Sequence, residues 1–317
     1  MPAEGVLDPF GMVDPVAKIW LDGSLVDWDE ANVHVLTHSL HYGLGAFEGI
    51  RAYHRASGET AVFRLREHIE RLFDSCKMIL CTPPFTPEEL ERACLETLRV
   101  NRMADGYLRP LVFVGDGAMG IYAPNNPIRV AVIAWKWGSY LGEEALAKGI
   151  RCKVSSFARH HVNVSLAKAK MVGQYTNSVL AKREAKFGGY DEAILLDTNG
   201  NVSEGSGENL FIVKRGVVYT PDLSCSILEG ITRATVIDML REDGIQVVET
   251  RLTRDQLWLA DEVFLTGTAA EITPVREIDD RAIGKGVRGP VTEKLQARFF
   301  DIVRGTSTAH PEWRTHV

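Results

Sequence analysis

No stretch of this chain is apolar for long enough to cross a bilayer: the longest apolar runs, such as Val130–Trp135, fall far short of the about 20 residues a membrane helix needs. Positive charge is not in excess either. The 36 Lys and Arg stand against 42 Asp and Glu, a formal net charge of −6, which provides no basic face for a nucleic acid backbone. Cysteine is scarce and poorly spaced for chemistry. Cys76, Cys81, Cys94, Cys152 and Cys225 are odd in number and contain no Cys-x-x-Cys. That argues against a disulfide framework or a zinc site and for reduced, packed thiols in a cytoplasmic protein. Met1–Asp14 lacks the basic-then-apolar pattern of a signal peptide, and no internal repeat or low-complexity tract occurs. What remains is an ordinary soluble composition, 45% hydrophobic and 25% charged over 317 residues, a length that favours two domains.

Residues 1–18 hold Pro2, Pro9 and Pro15 without periodicity and read as an arm. Ile19–Asp27 has the form of a hairpin turning at Asp22-Gly23. Ile69, Leu72, Phe73 and Cys76 recur at helical spacing, which predicts an amphipathic helix over 66–80. Thr86-Pro87 announces a second helix running to Asn101. Buried strands follow at 108–114 and 128–135. The glycine-bearing segment 136–144 reads as a linker between a small α/β domain (19–135) and a larger domain (145–317). Further helices are expected at 232–243 and 290–304, and the polar tail after Gly305 is expected to fray.

The densest chemistry lies between Lys170 and Asn209. Lys170 precedes Tyr175 by five positions, and Ser203-Glu204-Gly205-Ser206-Gly207-Glu208-Asn209 follows. An amine, a phenol and a carboxylate on a glycine-flexed backbone suit an aldehyde cofactor with a ring nitrogen, as in pyridoxal 5′-phosphate. Lys168 rivals Lys170, because on a strand the two share a face; Glu208 rivals Glu204. Gly230-Ile231-Thr232 opens a helix carrying Val236, Ile237 and Leu240, and free N–H groups at such a start form an anion site. Thr268, in the Gly267-Thr268 loop, offers a second hydroxyl. Two other patterns are set aside. Gly115-x-Gly117-x-x-Gly120 fits a dinucleotide fingerprint, but Pro124 and Pro127 forbid the helix it requires. His38/His41 and His160/His161 have no cysteine or carboxylate at ligand spacing, so no metal is assigned.

Taken together, these segments resemble the branched-chain amino-acid aminotransferases, fold-type IV pyridoxal-phosphate enzymes, from about Ile19 to about Phe300. The resemblance is carried by His41-Tyr42-Gly43, Phe47-Glu48-Gly49-Ile50-Arg51, Tyr107-Leu108-Arg109-Pro110, Ser203–Phe211, Gly230–Arg233 and Gly267–Pro274. It implies an α+β, two-domain D-amino-acid-aminotransferase-like fold: a smaller α/β domain plus a larger pseudo-barrel domain, with the cofactor between them. The family's lysine-to-tyrosine step is met only from Lys170, which would hold the cofactor and shuttle the substrate's proton. Tyr175 would meet the cofactor's phenolic oxygen and Glu204 its ring nitrogen. Arg71, Gly230, Ile231, Thr232, Gly267 and Thr268 would hold the phosphate. Arg71 is nominated by the resemblance alone, since its place opposite the Ile69/Leu72/Phe73 stripe points to solvent. The substrate pocket would comprise Tyr42, Phe47, Gly49, Tyr107, Arg109, Trp137, Tyr140, Thr268 and Ala269. Substrates would be L-leucine, L-isoleucine or L-valine with 2-oxoglutarate, and the assembly at least a homodimer with a neighbour's loop over each site.

Rival readings are a relative acting on D-amino acids or (R)-amines, a pyruvate-releasing lyase, and a non-catalytic cofactor-binding protein. The sequence departs from the commonest family form at Arg159-His160-His161-Val162 and at Glu229, which bears on substrate range.

Overall fold

The computed structural model describes residues 14–138 and 143–317. Two sheets organise the described residues. The first is antiparallel, in the order Arg314–His316, Thr60–Phe63, Ile50–His54, Gly106–Val114, Ile128–Trp135, Lys18–Leu21, Ser24–Asp27, with Gly45–Phe47 also on Gly106–Val114. Its hairpin turns where expected: Asp22 (φ 48°) and Gly23 (φ 95°) are both left-handed, the geometry a two-residue hairpin demands. The helices Leu65–Met78 and Pro87–Val100 cover one face, burying Ile69, Leu72, Leu90 and Leu98 against Leu108 and Val132. Thr86 and Glu89 exchange the two hydrogen bonds of a capping box, which pins the start of the second helix. The first helix ends at Met78 rather than 80. Leu80 takes a left-handed turn (φ 57°) and Cys81 N–H bonds Cys76 O at 3.0 Å, closing the helix end.

The second sheet is mixed, in the order Val202–Gly205, Glu192–Leu196, Ile150–Val154, Glu271–Ile278, Glu262–Gly267, Asn209–Lys214, Val217–Pro221, Val247–Thr250, with Arg281–Ala282 on Glu271–Ile278. It curls on itself. Val202, on one edge strand, donates its N–H to Leu252 O, just past the other edge strand, at 2.8 Å. Ile150, Leu210, Leu252, Leu257 and Leu265 fill the inside of the curl. Helices Ile231–Glu242 and Pro290–Arg304 pack outside it.

A third core joins the two sheets. Tyr53 and Phe63 of the first pack with Phe211 and Phe264 of the second around Phe299 and Trp313. The tail therefore does not fray as its polarity suggested. Arg314–His316 pairs with Thr60–Phe63, and Trp313 is buried, edge-on to Phe63 and stacked on His310. One large aromatic anchor outweighs the polar residues around it.

Trp313→Ala should lower stability by about 3 kcal/mol, as deletion of a buried aromatic does. Denaturant unfolding measures it, and an unchanged midpoint would mean that the tail is not part of the core.

Candidate active site

The site is built where a short segment of the second half of the chain pairs with the first. Residues 170–173 run antiparallel to 43–47: Phe47 N–H bonds Lys170 O at 3.1 Å, Val172 N–H bonds Gly45 O at 3.0 Å and Gly173 N–H bonds Gly43 O at 3.0 Å. Lys170 N–H also bonds Ser75 Oγ at 2.9 Å, on the first helix of the small domain. So anchored, Lys170 Nζ lies 2.6 Å from Tyr175 Oη, over a Phe47 ring that packs 4.8 Å from the Tyr175 ring. Tyr175 stands at the first position of helix Tyr175–Phe187, which fixes the five-residue step. The rival lysine is engaged elsewhere. The backbone is irregular over 168–170, so the two side chains part, and Lys168 Nζ donates to Leu223 O and Ile227 O at 2.8 Å.

Both acids are buried at the same cavity, but they differ in their partners. Glu204 receives Arg159 Nη2 at 2.7 Å, Leu228 N–H at 3.0 Å and Asn209 Nδ2 at 3.1 Å. Burial raises its carboxyl above the ordinary value, while Arg159 and the Leu228 N–H pull the other way. Glu208 receives Gly207 N–H at 3.0 Å; burial, with the Glu192 carboxylate second, pushes it up to about 8. A group that high is largely protonated at neutral pH, so Glu204 is the better standing anion. Spacing did not reveal Arg159. It lies 45 residues from Glu204, and from the departing segment 159–162 its guanidinium reaches this acid.

Helix Ile231–Glu242 opens at Gly230 with no side-chain cap, leaving its first N–H groups to the cavity beside Thr232, Gly267 and Thr268. A Cβ at Gly230 would sit 1.9 Å from Asn209 Oδ1, so a larger residue there would have to displace the Asn209 side chain that bonds Glu204 and Leu228 O. Arg71 reaches this cup, half-buried and bonded to Glu229 O at 2.8 Å, so the face opposite the apolar stripe lines a cleft rather than solvent. The buried Thr266 Oγ1 in the wall has no hydrogen-bond partner among the described residues. An uncapped helix start, a guanidinium, hydroxyls, an amine and a buried carboxylate make a donor set that fits a phosphorylated pyridine aldehyde.

A second cavity of about 510 Å³ adjoins the lysine, lined by Phe47, Gly49, Tyr107, Arg109, Trp137, Thr268 and Ala269 among others. Gly49 makes room for Tyr107, whose Oη would lie 1.8 Å from a Cβ there. Arg109 stacks 4.5 Å over Phe47, and its buried Nε has no hydrogen-bond partner among the described residues. Tyr42 is not in this wall; it is half-exposed and packs on His38. Tyr140 lies outside the described residues. His38 and His41 bond the carbonyls of Gly120 and Val35, and no three His, Cys, Asp or Glu side chains converge to hold a metal among the described residues.

The family profile for Amino-transferase class IV matches residues 45–278. A branched-chain-amino-acid aminotransferase of Pseudomonas aeruginosa is 52% identical over 306 residues, covering 96% of this chain and 99% of its own. The crystal structure of the Escherichia coli branched-chain amino acid aminotransferase has a TM-score of 0.92 at 46% identity, covering 94% of this chain and 98% of that one. That of the branched-chain amino acid aminotransferase from Thermobaculum terrenum, in its PLP-form, has a TM-score of 0.90 at 34% identity, covering 95% and 98%.

Glu208 carries a pH prediction. Its carboxyl is raised from 4.5 to about 8 in the folded chain, so the folded state holds the proton more tightly. Its contribution to stability is full below the lower value and lost as pH rises through the upper one. Glu208→Gln should remove that loss: between about pH 4.5 and about pH 8 the wild-type Tm should fall relative to the variant's, and above that range the two should run parallel. Tm curves that run parallel within that range as well would contradict the assignment.

Proposed function

Because the chain belongs to the class IV aminotransferases, of fold type IV, we propose that it transfers an amino group reversibly between L-leucine, L-isoleucine or L-valine and 2-oxoglutarate, with pyridoxal 5′-phosphate as cofactor. The observation that carries this is the cavity beside Lys170. Its aromatic walls suit an alkyl side chain, and its guanidinium, Arg109, suits a second carboxylate. One pocket thereby serves both donors.

The cofactor, held between a small domain (19–135) and a large one (145–317), supplies the electron sink that makes the substrate's α-hydrogen acidic. Lys170 Nζ holds its aldehyde carbon at rest and, once released, carries the proton from the substrate's α-carbon. Tyr175 Oη, already within 2.6 Å of that amine, orients the cofactor's phenolic oxygen. Glu204, its charged form favoured by Arg159, holds a proton on the ring nitrogen. The N–H groups of Ile231 and Thr232, the hydroxyls of Thr232 and Thr268, and Arg71 bind the phosphate. The turn at Thr268–Ala269 and the Tyr107 hydroxyl take the substrate's α-carboxylate. Phe47, Tyr107 and Trp137 receive the branched chain and exclude water.

The assembly is at least a homodimer. Tyr42 is half-exposed, and Ile121 and Tyr122 are 93% and 86% exposed in the loop after Gly106–Val114. A second copy, with its own site beneath that loop, covers them. Five buried free thiols suit the reducing cytoplasm.

Half-reaction kinetics test the reading. In Arg109→Ala, the half-reaction with L-glutamate should slow by about 30- to 1000-fold, the loss of roughly 2–4 kcal/mol for a charged bidentate contact. The half-reaction with L-leucine should change by less than about tenfold, since an alkyl side chain makes no such contact. Equal losses would make Arg109 a scaffold residue and contradict the dual-substrate pocket.

A further inference from the structure

Glu48 is fully buried between Phe47 and Gly49, and no step above uses it. Its two oxygens are nonetheless crowded with donors. Arg71 Nε reaches Oε1 at 2.7 Å and Arg71 Nη2 reaches Oε2 at 2.9 Å, the side-on fork of a guanidinium. His68 Nδ1 lies 2.7 Å from Oε2, and Gly49 N–H donates to the same oxygen at 3.2 Å. Burial alone would raise this carboxyl, but Arg71 and His68 outweigh it and hold it well below the usual carboxylate range. His68 is itself fully buried. Burial lowers its pKa, and its Nε2 has no hydrogen-bond partner among the described residues, which describes a neutral ring donating from Nδ1.

A guanidinium carries five N–H donors: one on Nε and two on each Nη. Glu48 takes the Nε donor and one on Nη2, and Glu229 O takes one on Nη1 at 2.8 Å. One N–H on each Nη is left, at the end of the side chain that lines the cup with Gly230, Thr232 and Thr268. An arginine on an otherwise solvent-facing helix position has many rotamers. Here a carboxylate on one side and a carbonyl of the other domain leave it one. We propose that Glu48 is a positioning residue for the cofactor's phosphate: by holding the side-on edge of Arg71 it aims the remaining pair of donors into the anion cup, with His68 fixing the carboxylate in turn. The inference rests on the pyridoxal-phosphate reading above.

The electrostatic alternative has the opposite sign. Glu48 is a negative charge beside a phosphate site, and if charge alone mattered, removing it would tighten binding. Glu48→Gln keeps the shape and loses the charge, so it separates the two. Enzyme freed of cofactor is titrated with pyridoxal 5′-phosphate and, separately, with pyridoxal, which has the aldehyde and ring but no phosphate. Absorbance of the bound chromophore reads both. Positioning predicts that Glu48→Gln weakens pyridoxal 5′-phosphate binding at least about tenfold, the scale of a lost charged contact, with pyridoxal binding changed less than about twofold. Unchanged or tighter binding of the phosphate ester, or an equal loss for both probes, overturns the proposal. If Glu48→Gln does not fold, Glu48→Asp reads the same claim. It keeps the charge but, one methylene shorter, cannot hold both Nε and Nη2 of Arg71 at the distances seen here. It should lose the phosphate ester selectively, and unchanged affinity again overturns the proposal. Wild type that binds neither probe would instead defeat the cofactor reading itself.

Discussion

Everything at this site depends on a backbone pairing across the two halves of the chain. Lys170 comes from the second half, yet its N–H and C=O are held by Ser75 Oγ and by the Phe47 N–H, both from the first. Those bonds set where the lysine's Cα sits, and the helix starting at Tyr175 sets where its amine can point. A lysine on a free loop would sample many rotamers and present its amine to water. Here the amine meets one phenol over one aromatic ring, so the entropy of ordering it is met during folding rather than during the reaction.

A low-dielectric cleft imposes a second constraint: charges placed there must be paired. The structure meets it by setting a cation against buried acids. Glu48 has Arg71, Glu204 has Arg159, and Glu192 has Lys182. At Glu208, burial, with the Glu192 carboxylate second, raises the carboxyl. These pairings set which groups present charge to the cavity. The acid with a guanidinium behind it has its charged form favoured against burial, and the arginine with a carboxylate behind it has two N–H donors left over. The guanidinium of Arg109 is instead stacked on Phe47 with a buried Nε that has no hydrogen-bond partner among the described residues, the condition for a site that accepts a carboxylate from outside.

Much of this was legible in the sequence because local rules govern it. Thr86-Pro87 marked a helix start, Asp22-Gly23 a hairpin, and the Ile69/Leu72/Phe73/Cys76 spacing a buried helix face, all three within two residues of the observed bounds. Lys170, Tyr175 and Glu204 were singled out from their rivals by the resemblance to the family, and the cavity gathers all three with Arg71, Thr232 and Thr268. What sequence could not give was long-range. No pattern joins Arg159 to Glu204, Glu48 to Arg71, or Trp313 to Phe63, since each pair meets only through tertiary packing. The tail misled for the same reason: local polarity said solvent, and strand pairing with Thr60–Phe63 together with the buried Trp313 decided otherwise. The choice between Lys168 and Lys170 was likewise closed to periodicity; the irregular backbone between them turns the Lys168 amine to Leu223 O and Ile227 O and the Lys170 amine to Tyr175 Oη.

The central claim is that Lys170, and not its neighbour, holds the cofactor. Borohydride reduction of the pyridoxal-phosphate-loaded enzyme, followed by peptide mapping, tests it directly, because reduction makes the lysine's bond to the cofactor permanent. The account predicts a phosphopyridoxyl group on Lys170 in wild type, none in Lys170→Ala, and an unchanged label on Lys170 in Lys168→Ala. A label on Lys168, or on neither lysine, would contradict it.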